Sequence, residues 1–243
     1  METTRLNKAI SETGFCSRRE ADRLIESGKV LVNGMVAELG TKVSAADIVT
    51  IEGKTITKQV ETIYLAFHKP PGITCTTDTK IKGNIVDYIK FPERIFPVGR
   101  LDKDSEGLIF MTNDGDIVNK ILRSKNNHDK EYVVKVNKPI TPGFIQKMSN
   151  GITLLDTVTK KCNVKKIDDF TFNIVLTQGL NRQIRRMCET LNYRVVRLKR
   201  IRIINIKLGE LKKGEYRRFT KSELQELLRL VEDSSKTMEA SVD

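Results

Sequence analysis

Three short stretches carry residue types that could do chemistry. Residues 97–113 read PVGRLDKDSEGLIFMTN, with Asp102 between Arg100 and Lys103 and glycines at Gly99 and Gly107. An ionised carboxylate is a nucleophile, and neighbouring cations favour that form. Asp and Gly are also common turn residues, so this spacing taken alone more often describes a solvated turn. Residues 181–188 read NRQIRRMC. A helix from Gln183 puts Arg182, Arg185, Arg186 and Glu189 on one side and lets Ile184, Met187 and Cys188 face a core. One arginine could then meet a phosphate while another grips a carboxylate through a bidentate fork. The third stretch is Lys130-Glu131-Tyr132, where the tyrosine ring could stack on a base or be a half-buried strand aromatic.

Positioning these groups requires a scaffold, and its elements can be read from periodicity. Strand-like runs fall at 63–67, 108–111, 132–136, 172–176, 194–198 and 201–208, and the first enters the turn-forming HKPPG at His68. Helical patterns fall at 115–122, 142–150, 183–191 and 221–231, the last opened by a capping box of Thr220 and Glu223. Strands with interspersed helices and few long crossovers imply an α+β fold on a mixed, largely antiparallel sheet with flanking helices. Ahead of it, residues 5–13 predict a short helix ending near Gly14. A capping box of Ser17 and Glu20 then opens a helix with Ala21, Leu24 and Ile25 on one face, stopping at Gly28. Strands at 30–32 and 35–36 flank Asn33-Gly34, a strong hairpin signal, and a last strand at 48–51 completes an αα-β unit. The division is therefore 1–52 for a small module, 53–62 for a polar linker, 63–232 for the larger domain and 233–243 for a disordered tail.

The 243 residues hold 43 Lys or Arg against 31 Asp or Glu, a net charge of +12. Residues 1–62 are balanced at 9 and 9, residues 63–230 carry 33 basic and 18 acidic side chains, and residues 231–243 carry 1 and 4. Within 182–202, eight basic side chains face the single acid Glu189. A solvated helix face balances its signs, so this imbalance points to a polyanion, with nucleic acid ahead of an anionic membrane. No apolar run approaches the roughly 18 residues of a membrane span, and METTRLNK lacks a signal-peptide core, so a cytoplasmic protein is expected. Cys16, Cys75, Cys162 and Cys188 stand far apart with only His68 and His128 to help them, which argues against a zinc site or a disulfide framework. Phosphate-cradling GxxxxGK[ST] and GxGxxG motifs are absent.

Arg5-Leu6, Ser17-Arg18-Arg19-Glu20-Ala21, Leu24-Ile25, Gly28, Val30, Val32-Asn33-Gly34 and Asp47-Ile48-Val49-Thr50-Ile51 resemble the small RNA-binding module named after the fourth protein of the small ribosomal subunit. Arg18 and Arg19 oppose the helix dipole in a first turn, a local conflict that favours an RNA-facing role. Behind that module, HKPPG, GRLDKDSEGL, KEYVV and GLNRQIRRMCETLNYRVVRLKRIRI follow in order and resemble the RsuA-type family of ribosomal RNA pseudouridine synthases. Within the family, NRQIRRMCE, VTKKC and IVNKILR look most like a large-subunit branch that also acts on tRNA, and His68 stands where asparagine is common.

The resemblance implies roles residue by residue. Asp102 matches the catalytic aspartate, Arg185 the arginine that pairs with it, and Tyr132 the tyrosine that stacks on a flipped base. Leu198 matches an apolar residue on the base's other face, and Arg100 a residue that enters the RNA helix as the base leaves. Leu101, Lys103, Arg182, Gln183 and Ile184 are expected at the RNA or substrate, with Arg18 and Arg19 on the module. No cofactor and no metal are implied. The expected partner is 23S ribosomal RNA, with a tRNA anticodon loop as a second candidate, and the expected state is a monomer. A competing reading is a ribosome-assembly factor that keeps the fold for grip. Joint retention of Asp102, Tyr132 and Arg185 speaks against it, since a binder gains nothing from an acid in a basic groove.

Overall fold

The computed structural model describes residues 3–57, 61–123, 126–154 and 157–234; residues 235–243 of the expected tail lie outside them. The chain divides into two compact units. The first comprises residues 1–63, 91–95 and 113–115, and the second residues 64–90, 96–112 and 116–243.

In the first unit, helices Leu6–Glu12 and Arg18–Glu26 precede a four-stranded antiparallel sheet of Val30–Val32, Met35–Val36, Val49–Ile51 and Lys54–Ile56. Its core is aliphatic: Leu6, Ile10, Ala21, Ile25, Val30, Val43, Val49 and Ile51 are buried together. The Asn33-Gly34 turn takes φ of 52° and 84°, the left-handed pair that a two-residue hairpin loop requires. Two expectations need correction. Ser17 accepts from the Glu20 backbone N–H at 3.1 Å, but the Glu20 side chain pairs with Arg23 at 2.9 Å, so only half of the capping box forms. Residues 54–56, expected in a linker, form a strand instead. Glu52-Gly53 makes a second left-handed two-residue turn that folds Lys54–Ile56 back on Val49–Ile51. This strand is at the edge and mostly exposed, so its polar pattern masked it.

The second unit is built on a nine-stranded sheet. Its main path runs Asn163–Lys166, Thr171–Leu176, Lys130–Val136, Val195–Ile203, Glu106–Thr112, Tyr64–Lys69 and Tyr216–Arg218. Every pairing is antiparallel except that of Val195–Ile203 with Glu106–Thr112, where Lys199 and Arg200 lie beside Glu106 and Gly107. Gly107 has φ of +115°, and a Cβ there would overlap the Arg200 backbone, so this crossing admits only glycine. Leu108, Phe110, Ile203 and Ala66 from the sheet pack with Ile117, Ile121, Leu227 and Val231, which helices Gly115–Leu122 and Lys221–Leu230 and the residue that follows the latter bring to them. Thr220 and Glu223 form the full expected capping box. The runs at 194–198 and 201–208, read as separate strands, are mostly one nine-residue strand: Lys199 and Arg200 interrupt the apolar pattern but both pair with the neighbouring strand, and the register shifts just past them, at Ile201.

Candidate active site

The strand Glu106–Thr112 is entered by the loop 99–105, and an unusual buried ammonium shapes that loop. Lys69, at the end of the Tyr64–Lys69 strand, is fully buried. Its Nζ donates to the carbonyls of Pro70 at 2.8 Å, Lys103 at 3.3 Å and Ser105 at 2.8 Å. The Gly72 N–H also reaches the Lys103 carbonyl, at 2.7 Å. Burial holds the Lys69 ammonium below the ordinary lysine range, with the nearby charges of Asp102 and Asp104 opposing that shift. The turn motif HKPPG and the motif GRLDKDS are thereby tied together, and Asp102 sits in the loop they share.

Opposite stands helix Gln183–Thr190. Arg182 precedes it with φ of 50° and ψ of 32°, a left-handed conformation that a non-glycine residue adopts at a cost of order 1 kcal/mol. The Gln183 side chain folds back to accept from the Leu180 N–H at 3.0 Å. Ile184, Met187 and Cys188 are buried as expected, but so are Gln183 and Arg185. Arg185 Nε and Arg182 Nη1 each lie 3.5 Å from the same Asp102 oxygen, Oδ2. Arg185 also donates through Nη2 to the buried Ser105 hydroxyl at 3.1 Å. The expected bidentate fork is therefore not formed: two guanidinium groups share one carboxylate oxygen, and Ser105 takes the second arm of Arg185. The Asp102 side chain is 28% exposed and that of Arg185 10%, so the acid can be reached while its partner is held in the protein.

Around Asp102 lies a small cleft of about 90 Å³. Tyr132 and Leu198, on the adjacent strands Lys130–Val136 and Val195–Ile203, line it together with Ile184 and Arg185. Arg100, Leu101, Arg182 and Gln183 complete the set of expected residues there, and Ser105, Leu176 and Leu180 join them. A larger cleft of about 660 Å³ shares Arg100, Leu101, Asp102, Tyr132 and Arg182 with it and adds Lys103. Thus every residue expected at the site in the second unit borders one or both clefts. Arg18 and Arg19 belong to the first unit, exposed in the first turn of Arg18–Glu26. Sequence reasoning missed Lys69 and Ser105. The signal for Lys69 is a charged residue closing an apolar strand before two prolines; Ser105 carried none beyond its place in the motif. His68 is structural: it is buried, its ring Nδ1 lies 2.7 Å from the Leu211 carbonyl, and burial lowers its affinity for a proton.

An acid flanked by arginines, an aromatic and an aliphatic wall, and a cationic rim can now be compared with known proteins. Residues 63–190 match the family described as RNA pseudouridylate synthase, and residues 4–49 match the S4 domain. The chain belongs to the RNA pseudouridine synthase family. This synthase is 53% identical over 235 residues to the dual-specificity RNA pseudouridine synthase RluF of Escherichia coli (strain K12), covering 96% of this chain and 81% of that one. It is 36% identical to the ribosomal large subunit pseudouridine synthase B of Bacillus subtilis, covering 94% of this chain and 97% of that one. A crystal structure of a pseudouridylate synthase superposes with a TM-score of 0.68 at 30% identity, covering 92% of this chain and 99% of that one. The synthase is an enzyme that binds RNA and converts uridine to pseudouridine within it. Among its described residues no cluster of His, Cys, Asp and Glu could hold a metal ion, and no helix is long and apolar enough to cross a membrane.

Proposed function

We propose that Asp102 attacks the target nucleotide, with Arg185 as its partner and Tyr132 and Leu198 enclosing the flipped uracil. One observation carries this reading: Asp102, Arg185, Tyr132 and Leu198, far apart in sequence, border the same small cleft. The isomerisation breaks the bond between the ribose carbon and ring nitrogen 1, turns the uracil, and joins ring carbon 5 to the ribose. A proton leaves carbon 5 and nitrogen 1 gains one, so the atoms balance without an oxidant or a donated group. The chemistry needs a nucleophile, walls that retain a detached base, and contacts that offset unstacking, which costs a few kcal/mol. The carboxylate, the Tyr132 and Leu198 walls, and Arg100 and Lys103 at the rim match those needs in turn.

The substrate in this reading is 23S ribosomal RNA, with a tRNA anticodon loop as a second target, and the enzyme works as a cytoplasmic monomer. The dual specificity named for relatives at 53% and 54% identity supports two RNA classes. Asp102→Asn preserves the shape of the side chain and removes the nucleophile. The expected result is RNA affinity within a few-fold of wild type and no detectable pseudouridine; product at the wild-type level would overturn the assignment. Comparing pseudouridine maps of ribosomal RNA and tRNA with and without the gene tests the substrates, since loss of a site in only one class would remove the other.

A further inference from the structure

Two buried cations in the wall of the larger cleft are not used by the mechanism above. Arg200 is 4% exposed; its Nε donates to the Leu108 carbonyl at 2.7 Å, but its Nη2 is buried without a hydrogen-bond partner. Lys130 is 7% exposed and donates to the His128 carbonyl at 3.1 Å. They stand on neighbouring antiparallel strands, with Arg200 directly opposite Tyr132. The cations bordering this cleft are Arg100, Lys103, Lys130, Arg182 and Arg200, and Asp102 is the single acid. Like charges held side by side out of water are unfavourable unless an anion compensates them. The strain is visible at Lys130. Burial first, and the Arg200 charge second, bring its ammonium down to about 8, against a smaller opposing pull from Asp129.

We propose that Lys130 and Arg200 form a subsite for an RNA backbone phosphate next to the target uridine. The inference rests on the smaller cleft being the base pocket: a cleft of about 90 Å³ suits a pyrimidine ring, whereas the adjoining one of about 660 Å³ has room for ribose and phosphate. A phosphate offers several acceptor oxygens, so one group can take the orphaned Arg200 donor and a Lys130 donor together. A uracil carbonyl is the weaker candidate, because it brings no net charge to a wall with five cations and one acid.

The test uses the full chain and synthetic stem-loops around a uridine that the wild-type enzyme converts. Each RNA carries one neutral methylphosphonate, moved linkage by linkage. Wild type is expected to lose affinity about tenfold or more at one linkage adjoining the target, the size of a charge-assisted hydrogen bond. Lys130→Gln should lose much of the sensitivity at that linkage, keeping only the part that Arg200 supplies, and retain wild-type sensitivity elsewhere. In wild type, isotope-edited NMR of the Lys130 side chain should show its titration moving up from about 8 when the unmodified RNA binds, because an anion favours the ammonium. The RNA neutralised at the critical linkage should give no such rise. Equal sensitivity of wild type and Lys130→Gln at every linkage, or a Lys130 titration that RNA leaves in place, overturns the subsite. Failure of the wild-type enzyme to convert any uridine would instead remove the base-pocket reading, and the subsite with it.

Discussion

The two units of this chain solve opposite problems. The first holds an aliphatic core, and its charges pair at the surface, as in Lys29 with Glu52 at 2.7 Å and Arg23 with Glu20 at 2.9 Å. The second contains every buried charged or polar side chain among the described residues, including Lys69, Glu106, Lys130, Arg185 and Arg200. Burying charge costs free energy unless each group is satisfied, and folding alone does not require it. The difference points to where chemistry sits: apart from Arg18 and Arg19, the first unit can be explained by its own stability, while the second buries charge near Asp102 and leaves a donor such as Arg200 Nη2 unmet, which a substrate can satisfy.

Lys69 offers the sharpest way to break this comparison. Lys69→Met keeps an unbranched apolar stem, one heavy atom shorter, but strips donors from the Pro70 and Ser105 carbonyls and leaves the Lys103 carbonyl only the Gly72 N–H. Unsatisfied buried acceptors outweigh the relief of removing the charge, so the expected loss is about 3 kcal/mol of stability in urea denaturation. Turnover should fall further than stability predicts, with kcat more affected than KM, because the loop carrying Asp102 loses its anchor. A variant with wild-type kcat would mean that the ammonium supports the fold and not the site.

Glu106 predicts a smaller, pH-dependent effect. Burial raises its carboxyl's proton affinity, but hydrogen bonds and attraction from Lys213 and Arg197 more than reverse this, leaving it below the ordinary 4.5. A carboxylate depressed on folding contributes stability above its unfolded value, and that contribution is lost as pH falls through the folded one. Stability of the second unit should therefore drop below about pH 4.5, and Glu106→Gln should flatten that acid limb while costing about 2 kcal/mol at neutral pH. An unchanged acid limb in thermal unfolding would show that other carboxylates set it.

The same contrast explains what could be read from sequence. Local signals suffice where elements obey local rules: Asn33-Gly34, Gly28 and the Thr220–Glu223 box each mark a boundary that the structure contains. They fail at edges and crossings. Tyr216–Arg218 is a short, charged edge strand, and its partner Tyr64–Lys69 is remote in sequence, so nothing local announces it. Lys199 and Arg200 hid the continuity of Val195–Ile203 because a buried arginine defeats a hydrophobic pattern, yet that crossing with Glu106 and Gly107 is where the sheet turns parallel. Site residues were legible as a constellation only through resemblance; Lys69 and Ser105, which hold it in place, act through backbone carbonyls and a hydroxyl that no spacing reveals.

The smallest expected effect concerns the first unit. Arg18 and Arg19 are exposed at the start of the Arg18–Glu26 helix, where the dipole favours acids, so Arg18→Gln with Arg19→Gln should leave folding unchanged or slightly improved. If both arginines meet phosphates, the same pair should lower the slope of log affinity against log salt by about 1.4, the value for two contacts on a single strand, rising toward about 1.8 at the charge density of a B-form duplex. Residues 1–62 carry no net charge and cannot attract RNA over distance, so their contribution must come from such placed residues, whereas the excess in residues 63–230 supplies the long-range field. An unchanged slope in the double variant would make the first unit a spacer rather than a reader, and would assign all phosphate contacts to the second.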